Sequence, residues 1–272
     1  MPEKPEVITV SKTLEHIIIG KTIKKVDVYW DNIIIGDIDK FKKDLVGEKI
    51  ESITTRGKWI VIFLTTKALI CHLRMEGKFF FRDPSVPKAK HEHVIITFTD
   101  GTDMRFNDVR KFGKMACLPK DEVYNLKPLS DLGLEYYDKS LTPTYLLEAL
   151  KKKKVPIKTA LLDQSIITGI GNIYDDEILF ASHINPLRKA DSISLDEADS
   201  IIKNTKIILD KAVTMGGTTI KSFTSAEGVH GLFQNELAVH GKKDGICPNC
   251  KEKLIVTKVG GRGTYFCPKC QK

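Results

Sequence analysis

Two stretches of this chain carry residue types that do chemistry, and they lie at opposite ends. The chain opens Met1-Pro2-Glu3, and a small second residue of this kind usually leads to removal of the initiator methionine. Pro2 would then be a secondary amine beside a carboxylate. An α-amino group titrates near about 7.7–8.0, so a useful fraction is neutral at neutral pH. A neutral amine attacks a sugar C1′ or an aldehyde, and a secondary amine gives an iminium that is cationic without a proton. Glu3 could move protons to and from the sugar. On these residues alone a plainer reading carries more weight, in which Pro2 and Pro5 are an extended lead-in to the first helix.

At the far end stand Cys247-Pro248-Asn249-Cys250 and Cys267-Pro268-Lys269-Cys270, sixteen residues apart. Two C-x₂-C knuckles at this separation predict one structural zinc, each turning two thiolates toward a common point. Between them, Lys258-Val259-Gly260-Gly261-Arg262-Gly263-Thr264-Tyr265-Phe266 reads as a hairpin with an arginine at a Gly-rich tip. Residues 245–272 hold six Lys or Arg against one Glu. An arginine on a basic hairpin suits phosphate; a purely structural staple is the other reading.

A third segment, Gly169-Ile170-Gly171-Asn172-Ile173-Tyr174, reads as a tight turn entering a helix, with Asn172 as N-cap. Free N–H groups of a first turn can seat a phosphate, and Lys153 and Lys158 could flank it. A packing joint between helices explains the turn about as well.

The elements that must position these groups fall into two kinds. Pro5 to Ile19 is predicted as a helix with Val7, Val10, Leu14, Ile17 and Ile18 on one face. Strands are predicted at 60–64, 68–73, 78–81, 94–99 and 102–106, with Asp100-Gly101 as a hairpin turn. Short strands punctuated by turns indicate a sandwich or barrel. A linker is expected from Lys127-Pro128 to Thr142-Pro143. Beyond it, helices are predicted at 144–154, 157–164, 173–181 and 195–215, the last ended by Gly216-Gly217. The polar stretch to about Gly231 reads as a functional loop or disorder.

At 272 residues the chain has room for two domains and a small appended module. The net charge of +8 favours a polyanionic partner. No apolar run approaches the roughly 20 residues of a membrane span, and the first residues do not resemble a signal peptide. Cys71 and Cys117 sit in apolar strand-like runs and are expected as buried free thiols.

The motifs, taken in order, resemble one family. They are Met1-Pro2-Glu3-Lys4-Pro5-Glu6-Val7, Arg56-Gly57-Lys58, His72-Leu73-Arg74-Met75-Glu76-Gly77-Lys78, Lys90-His91-Glu92-His93 and Asp108-Val109-Arg110-Lys111-Phe112-Gly113. The Gly169–Tyr174 turn, Gln234-Asn235-Glu236-Leu237, Gly261-Arg262-Gly263-Thr264 and the four cysteines complete the series. Together they are similar to the bacterial formamidopyrimidine-DNA glycosylases over essentially the whole chain.

The resemblance implies an α+β multidomain fold. An N-terminal β-sandwich with an N-terminal helix is expected at 1–130, a helix–two-turn–helix domain at 143–236, and a zinc-finger β-hairpin at 237–272. It implies a bifunctional glycosylase and abasic-site lyase of base excision repair, a bacterial cytoplasmic monomer acting on double-stranded DNA with damaged bases. By resemblance Pro2 is the Schiff-base nucleophile, Glu3 the general acid, Lys58 the basic residue of β-elimination and Arg262 that of δ-elimination. His72, His91, Lys153 and Asn172 match DNA-backbone contacts. Met75, Arg110 and Phe112 match the wedge that fills the hole left by an extruded base, although Met75 and Phe112 could equally be core residues. Cys247, Cys250, Cys267 and Cys270 are the zinc ligands, and the Thr218–Gly231 stretch matches the loop over the extruded base. Lys4 departs from the leucine usual in the family. The rival readings are an endonuclease VIII-like glycosylase for oxidised pyrimidines and a non-catalytic damaged-DNA-binding protein.

Overall fold

A computed structural model describes residues 2–218 and 231–272. It divides into two compact units, residues 1–130 with 216–231 and residues 131–215 with 232–272.

The first unit opens with α1 (Lys4–Ile18), followed by β1 (Ile23–Val28), α2 (Ile38–Leu45) and β2 (Ile50–Arg56). Six strands follow: β3 (Trp59–Leu64), β4 (Lys67–His72), β5 (Lys78–Arg82), β6 (Glu92–Phe98), β7 (Asp103–Asn107) and β8 (Lys114–Pro119). They form two four-stranded antiparallel sheets, ordered β1-β6-β7-β5 and β2-β3-β4-β8. The expected sandwich is therefore present. Its core draws Ile23, Val94 and Phe106 from one sheet and Ile60, Leu69 and Met115 from the other. Val7, Val10, Leu14 and Ile18 of α1 join that core, as their spacing predicts.

Three of these elements, β1, β2 and β8, were not legible as strands. Charged and polar residues interrupt β1 and β2, whose burial patterns run from buried to exposed with no clean alternation. The partner strand, not the local sequence, fixes them. Cys71 lies on β4 opposite Met115, and Cys117 lies opposite Leu69, so the two thiols are not paired across the ladder. Burial pushes both thiols up, Cys117 to about 12, and both are inert.

The second unit contains β9 (Leu134–Glu135), α3 (Pro143–Lys151), α4 (Ile157–Leu161), β10 (Ile167–Thr168), α5 (Asn172–Ala181), α6 (Leu195–Thr214) and the hairpin β11 (Ile255–Val259) with β12 (Arg262–Phe266). Buried Leu146, Leu161, Ile178 and Ile201 form the helical core. The helices at 144–154 and 157–164 end earlier than expected, because the chain turns at Lys152 and Leu162. The presumed linker is also not structureless. Its β9 pairs in parallel with β10, and the Gly133 N–H donates to the Gln164 carbonyl at 2.8 Å. A Cβ on Gly133 would lie 2.3 Å from the Ile166 carbonyl oxygen, so only glycine allows that approach. A two-residue ladder across some thirty residues leaves no periodicity to read. Among the described residues no helix is long and apolar enough to cross a membrane.

Candidate active site and nucleic-acid interface

In the first unit Pro2 and Glu3 are buried at the start of α1, with Glu3 only 2% exposed. Glu3 is the N-cap, and its backbone N–H donates to Glu6 Oε2 at 2.8 Å, half of a capping box. The other oxygen of Glu6 accepts the Thr218 N–H at 2.7 Å and the Thr218 hydroxyl at 3.1 Å. Gly217, at φ +77°, lies against this carboxylate, where a Cβ would meet Glu6 Oε1 at 2.6 Å. One carboxylate thus fixes both the first turn of α1 and the Gly217-Thr218 segment. Met1 and residues 219–230, where the base-capping stretch is expected, lie outside the described residues.

Lys4 is not on the surface. It is fully buried, and its ammonium donates to Thr55 Oγ1 at 3.0 Å on β2. Burying a cation at a helix N-terminus is unfavourable without such a partner. Lys58 sits at the corner that follows β2. Arg56 pairs with Trp59, leaving Gly57-Lys58 as a two-residue turn with Gly57 at φ +54°. Lys58 is 6% exposed.

The three residues expected as a wedge are placed differently from core residues. Phe112 is 50% exposed and Arg110 is exposed, while Met75 is half-buried. The turn carrying the first two is prebuilt. Asp108, itself fully buried, accepts the Arg110 N–H at 3.0 Å and the Gly113 N–H at 2.7 Å. Lys111 between them adopts φ +59°, and the Arg110 guanidinium stacks 5.1 Å from the Phe112 ring. Arg74, just before Met75, is likewise left-handed at φ +54°. Non-glycine residues rarely adopt this conformation, so both turns hold local strain that their surroundings must offset.

His72 supplies one such offset, accepting the Arg74 N–H on Nδ1 at 3.0 Å. Burial, then the charges of Arg74 and Lys58, hold its imidazole down to about 3, so the ring is neutral. With Nδ1 accepting, the proton sits on Nε2. His91 is half-buried, and its Nδ1 is buried with no hydrogen-bond partner among the described residues.

In the second unit the expected phosphate seat is altered in two respects. Gly171, not Asn172, is the N-cap of α5, and Asn172 is the first helical residue. Its Nδ2 donates instead to the Gly263 carbonyl at 2.9 Å, across to the zinc hairpin. The residue type suits an N-cap, but one position into the helix its Oδ1, the atom that would accept a first-turn N–H, is buried with no hydrogen-bond partner among the described residues. Lys158 is fully buried in an ion pair with Asp176, so it cannot flank a phosphate. Lys153 is half-buried, its ammonium paired with Asp163 at 2.7 Å. Gln164 pins the turn, accepting the Gly169 N–H at 3.0 Å and donating to the Ile170 carbonyl at 2.9 Å. Sequence reasoning missed Gln164, Asp176 and Glu177. Glu177 accepts the N–H groups of Ala238, Val239 and His240 at 2.7–3.0 Å. Three acids at 175–177 in an apolar helix were the signal available.

The hairpin tip is Gly260-Gly261, at φ +56° and +76°, the conformation of a two-residue type I′ turn. It places Arg262 exposed at the start of β12. The four cysteine sulfurs lie within 4.8 Å of one another, with Cys247–Cys270 at 3.8 Å and Cys250–Cys267 at 3.5 Å. A tetrahedral zinc with sulfur at about 2.3 Å requires ligand–ligand edges of about 3.8 Å. The donor set fits one structural zinc with no position left for water. Gln271 fixes the second knuckle to the helical body, accepting the Cys267 N–H at 2.8 Å and donating to the Ile184 carbonyl at 2.9 Å.

Comparison with known proteins agrees along the whole chain. Residues 1–115 match the Formamidopyrimidine-DNA glycosylase N-terminal domain, residues 132–224 the Formamidopyrimidine-DNA glycosylase H2TH domain, and residues 247–272 the zinc finger found in FPG and IleRS. Formamidopyrimidine-DNA glycosylase of Bacillus cereus is 46% identical over 273 residues, covering 100% of this chain and 99% of that protein. Lactococcus lactis Fpg bound to abasic-site DNA is 34% identical with a TM-score of 0.91, covering 100% of both chains. The same protein bound to DNA containing N7-benzyl-Fapy-dG gives a TM-score of 0.92, again over 100% of both chains. With three domain matches in order and relatives aligned end to end, this chain belongs to the formamidopyrimidine-DNA glycosylase family.

Proposed function

We propose that this protein is a bifunctional DNA glycosylase and abasic-site lyase of base excision repair. It removes oxidised purines such as 8-oxoguanine and formamidopyrimidines from duplex DNA and cleaves the strand by β,δ-elimination. The supporting observation is the buried first turn of α1, where Pro2 and Glu3 are held by the Glu3–Glu6 capping box.

Once Met1 is removed, the neutral Pro2 nitrogen attacks C1′, the bond from C1′ to the base breaks, and the base departs with a proton equivalent to the one the amine gives up. Glu3 delivers the proton needed to open the sugar, leaving an iminium between Pro2 and C1′. Loss of a C2′ proton, served by Lys58, expels the 3′ phosphate. A second elimination, served by Arg262, expels the 5′ phosphate. His72, His91, Lys153 and Asn172 line the backbone contacts, with Met75, Arg110 and Phe112 as the wedge. The exposure of Arg110 and Phe112 favours this reading over a core role. Its place of action is the bacterial cytoplasm, on chromosomal DNA.

The deciding experiment is borohydride trapping on duplex DNA carrying one 8-oxoguanine opposite cytosine. Reduction of the iminium should leave protein fixed to DNA, and Pro2→Gly or a Met1-retaining form should trap poorly. Glu3→Gln should lose excision of the intact lesion and keep some cleavage at ready-made abasic sites. Efficient trapping by the Met1-retaining form would transfer the nucleophile to another amine.

A further inference from the structure

We propose that Trp30 is a positioning residue for the wedge turn, acting through Lys111. The inference rests on the glycosylase reading and names a residue that reading does not use. The Lys111 ammonium lies 3.7 Å from the centroid of the Trp30 ring, a close cation–π contact. Lys111 is the left-handed residue of the 108–113 turn, at φ +59° between Arg110 and Phe112. A lysine gains nothing intrinsic from that conformation. Asp108 holds the turn from within, and outside it the Trp30 ring is where the Lys111 side chain ends.

Trp30 is well placed to serve as a fixed support. It packs half-buried against the sandwich core. Beside it the Tyr29 N–H donates to the His93 carbonyl at 2.8 Å, and the Trp30 carbonyl accepts from Ile33 at 3.2 Å. The segment that follows braces the strand leaving the turn. Lys114 donates to the Asn32 carbonyl, and the Ile35 N–H donates to the Met115 carbonyl at 2.8 Å. The turn is therefore gripped at three points, Asp108 from within, Trp30 through Lys111, and residues 32–35 at its exit. With the ring gone, Lys111 loses the contact that holds its side chain. It can then relax toward right-handed backbone, and Arg110 and Phe112 no longer project side by side. The wedge matters when a paired base must be extruded, and less when the base is already gone.

The test compares Trp30→Leu, Trp30→Phe and Lys111→Met in the full-length protein, with thermal unfolding to confirm the fold. Single-turnover rates are measured on 8-oxoguanine opposite cytosine and on a ready-made abasic site opposite cytosine, at one salt concentration. Trp30→Leu and Lys111→Met should slow lesion excision roughly three- to tenfold, the reach of one cation–π contact, and slow abasic cleavage clearly less. Trp30→Phe, which keeps a ring face, should recover most of the loss. Excision by Trp30→Leu or Lys111→Met at the wild-type rate would overturn the proposal. So would Trp30→Phe as slow as Trp30→Leu, or equal slowing on both substrates, which marks a general structural role. Wild-type protein inactive on both duplexes would instead remove the glycosylase reading and the inference with it.

Discussion

Asn172 Nδ2 donates to the Gly263 carbonyl oxygen at 2.9 Å, tying the first turn of α5 to the residue after Arg262. Gly260, at the other side of the tip, sits so close to Thr159 that a Cβ there would meet Oγ1 at 2.7 Å. The hairpin that presents Arg262 is thus seated on α4 and α5. Asn172→Ala should cost about 1 kcal/mol of stability, the net worth of one neutral hydrogen bond. Its larger effect should be on products, with less β,δ and more β cleavage as Arg262 loses its mount. Gel analysis of the cleaved ends, alongside thermal unfolding, checks both.

The four cysteines hold the hairpin from its other end. Elemental analysis should find about one zinc per chain. Cys250→Ser, or chelation, should release Leu254 and Tyr265 from the small core they share with Cys247 and Cys267, and with them Arg262. DNA affinity should fall, and the dependence on salt should lose about one phosphate's worth of slope. Full affinity in the metal-free protein would break the link from zinc to DNA binding.

His72 gives a pH prediction with a definite sign. Its folded-state pKa, lowered to about 3 by burial and then by Arg74 and Lys58, lies below the unfolded value. The unfolded chain therefore takes up the proton first as pH falls from about 6.5. The contribution of His72 is complete above that pH and is lost progressively toward about 3. Replacement by Gln removes this term, so wild type should lose stability faster than His72→Gln between pH 7 and pH 5. Urea midpoints at the two pH values measure it, and parallel losses would reject the assignment.

Arg110 should set the choice of partner strand. A guanidinium only donates hydrogen bonds. Cytosine offers O2 and N3 as acceptors, whereas adenine offers only N1 and fills more of the gap. Excision should be faster opposite cytosine, by a discrimination on the order of 1–3 kcal/mol. Arg110→Ala should flatten that ratio and slow excision opposite cytosine. An unchanged cytosine-to-adenine ratio would leave the preference to Met75 and Phe112.

The sequence alone determined the parts that depend on local chemistry. Cysteine spacing defined the zinc set, apolar periodicity located α1 and the long helices, and Asp100-Gly101 and Gly260-Gly261 marked their turns. The ordered motifs identified the family. The tertiary structure decided which of those side chains reach solvent. Phe112 and Lys158 are the clearest pair. An aromatic in a strand-rich region reads as core and a lysine near a phosphate seat reads as surface, yet Phe112 is exposed and Lys158 is sealed against Asp176. Burial of a side chain is set by what the rest of the chain brings to it, and those neighbours are distant in sequence: Asp176 for Lys158, Thr55 for Lys4, Gly263 for Asn172. The weak strands β1, β2 and β9 were hidden for the same reason, since backbone pairing supplies the stabilisation that their own residues do not signal.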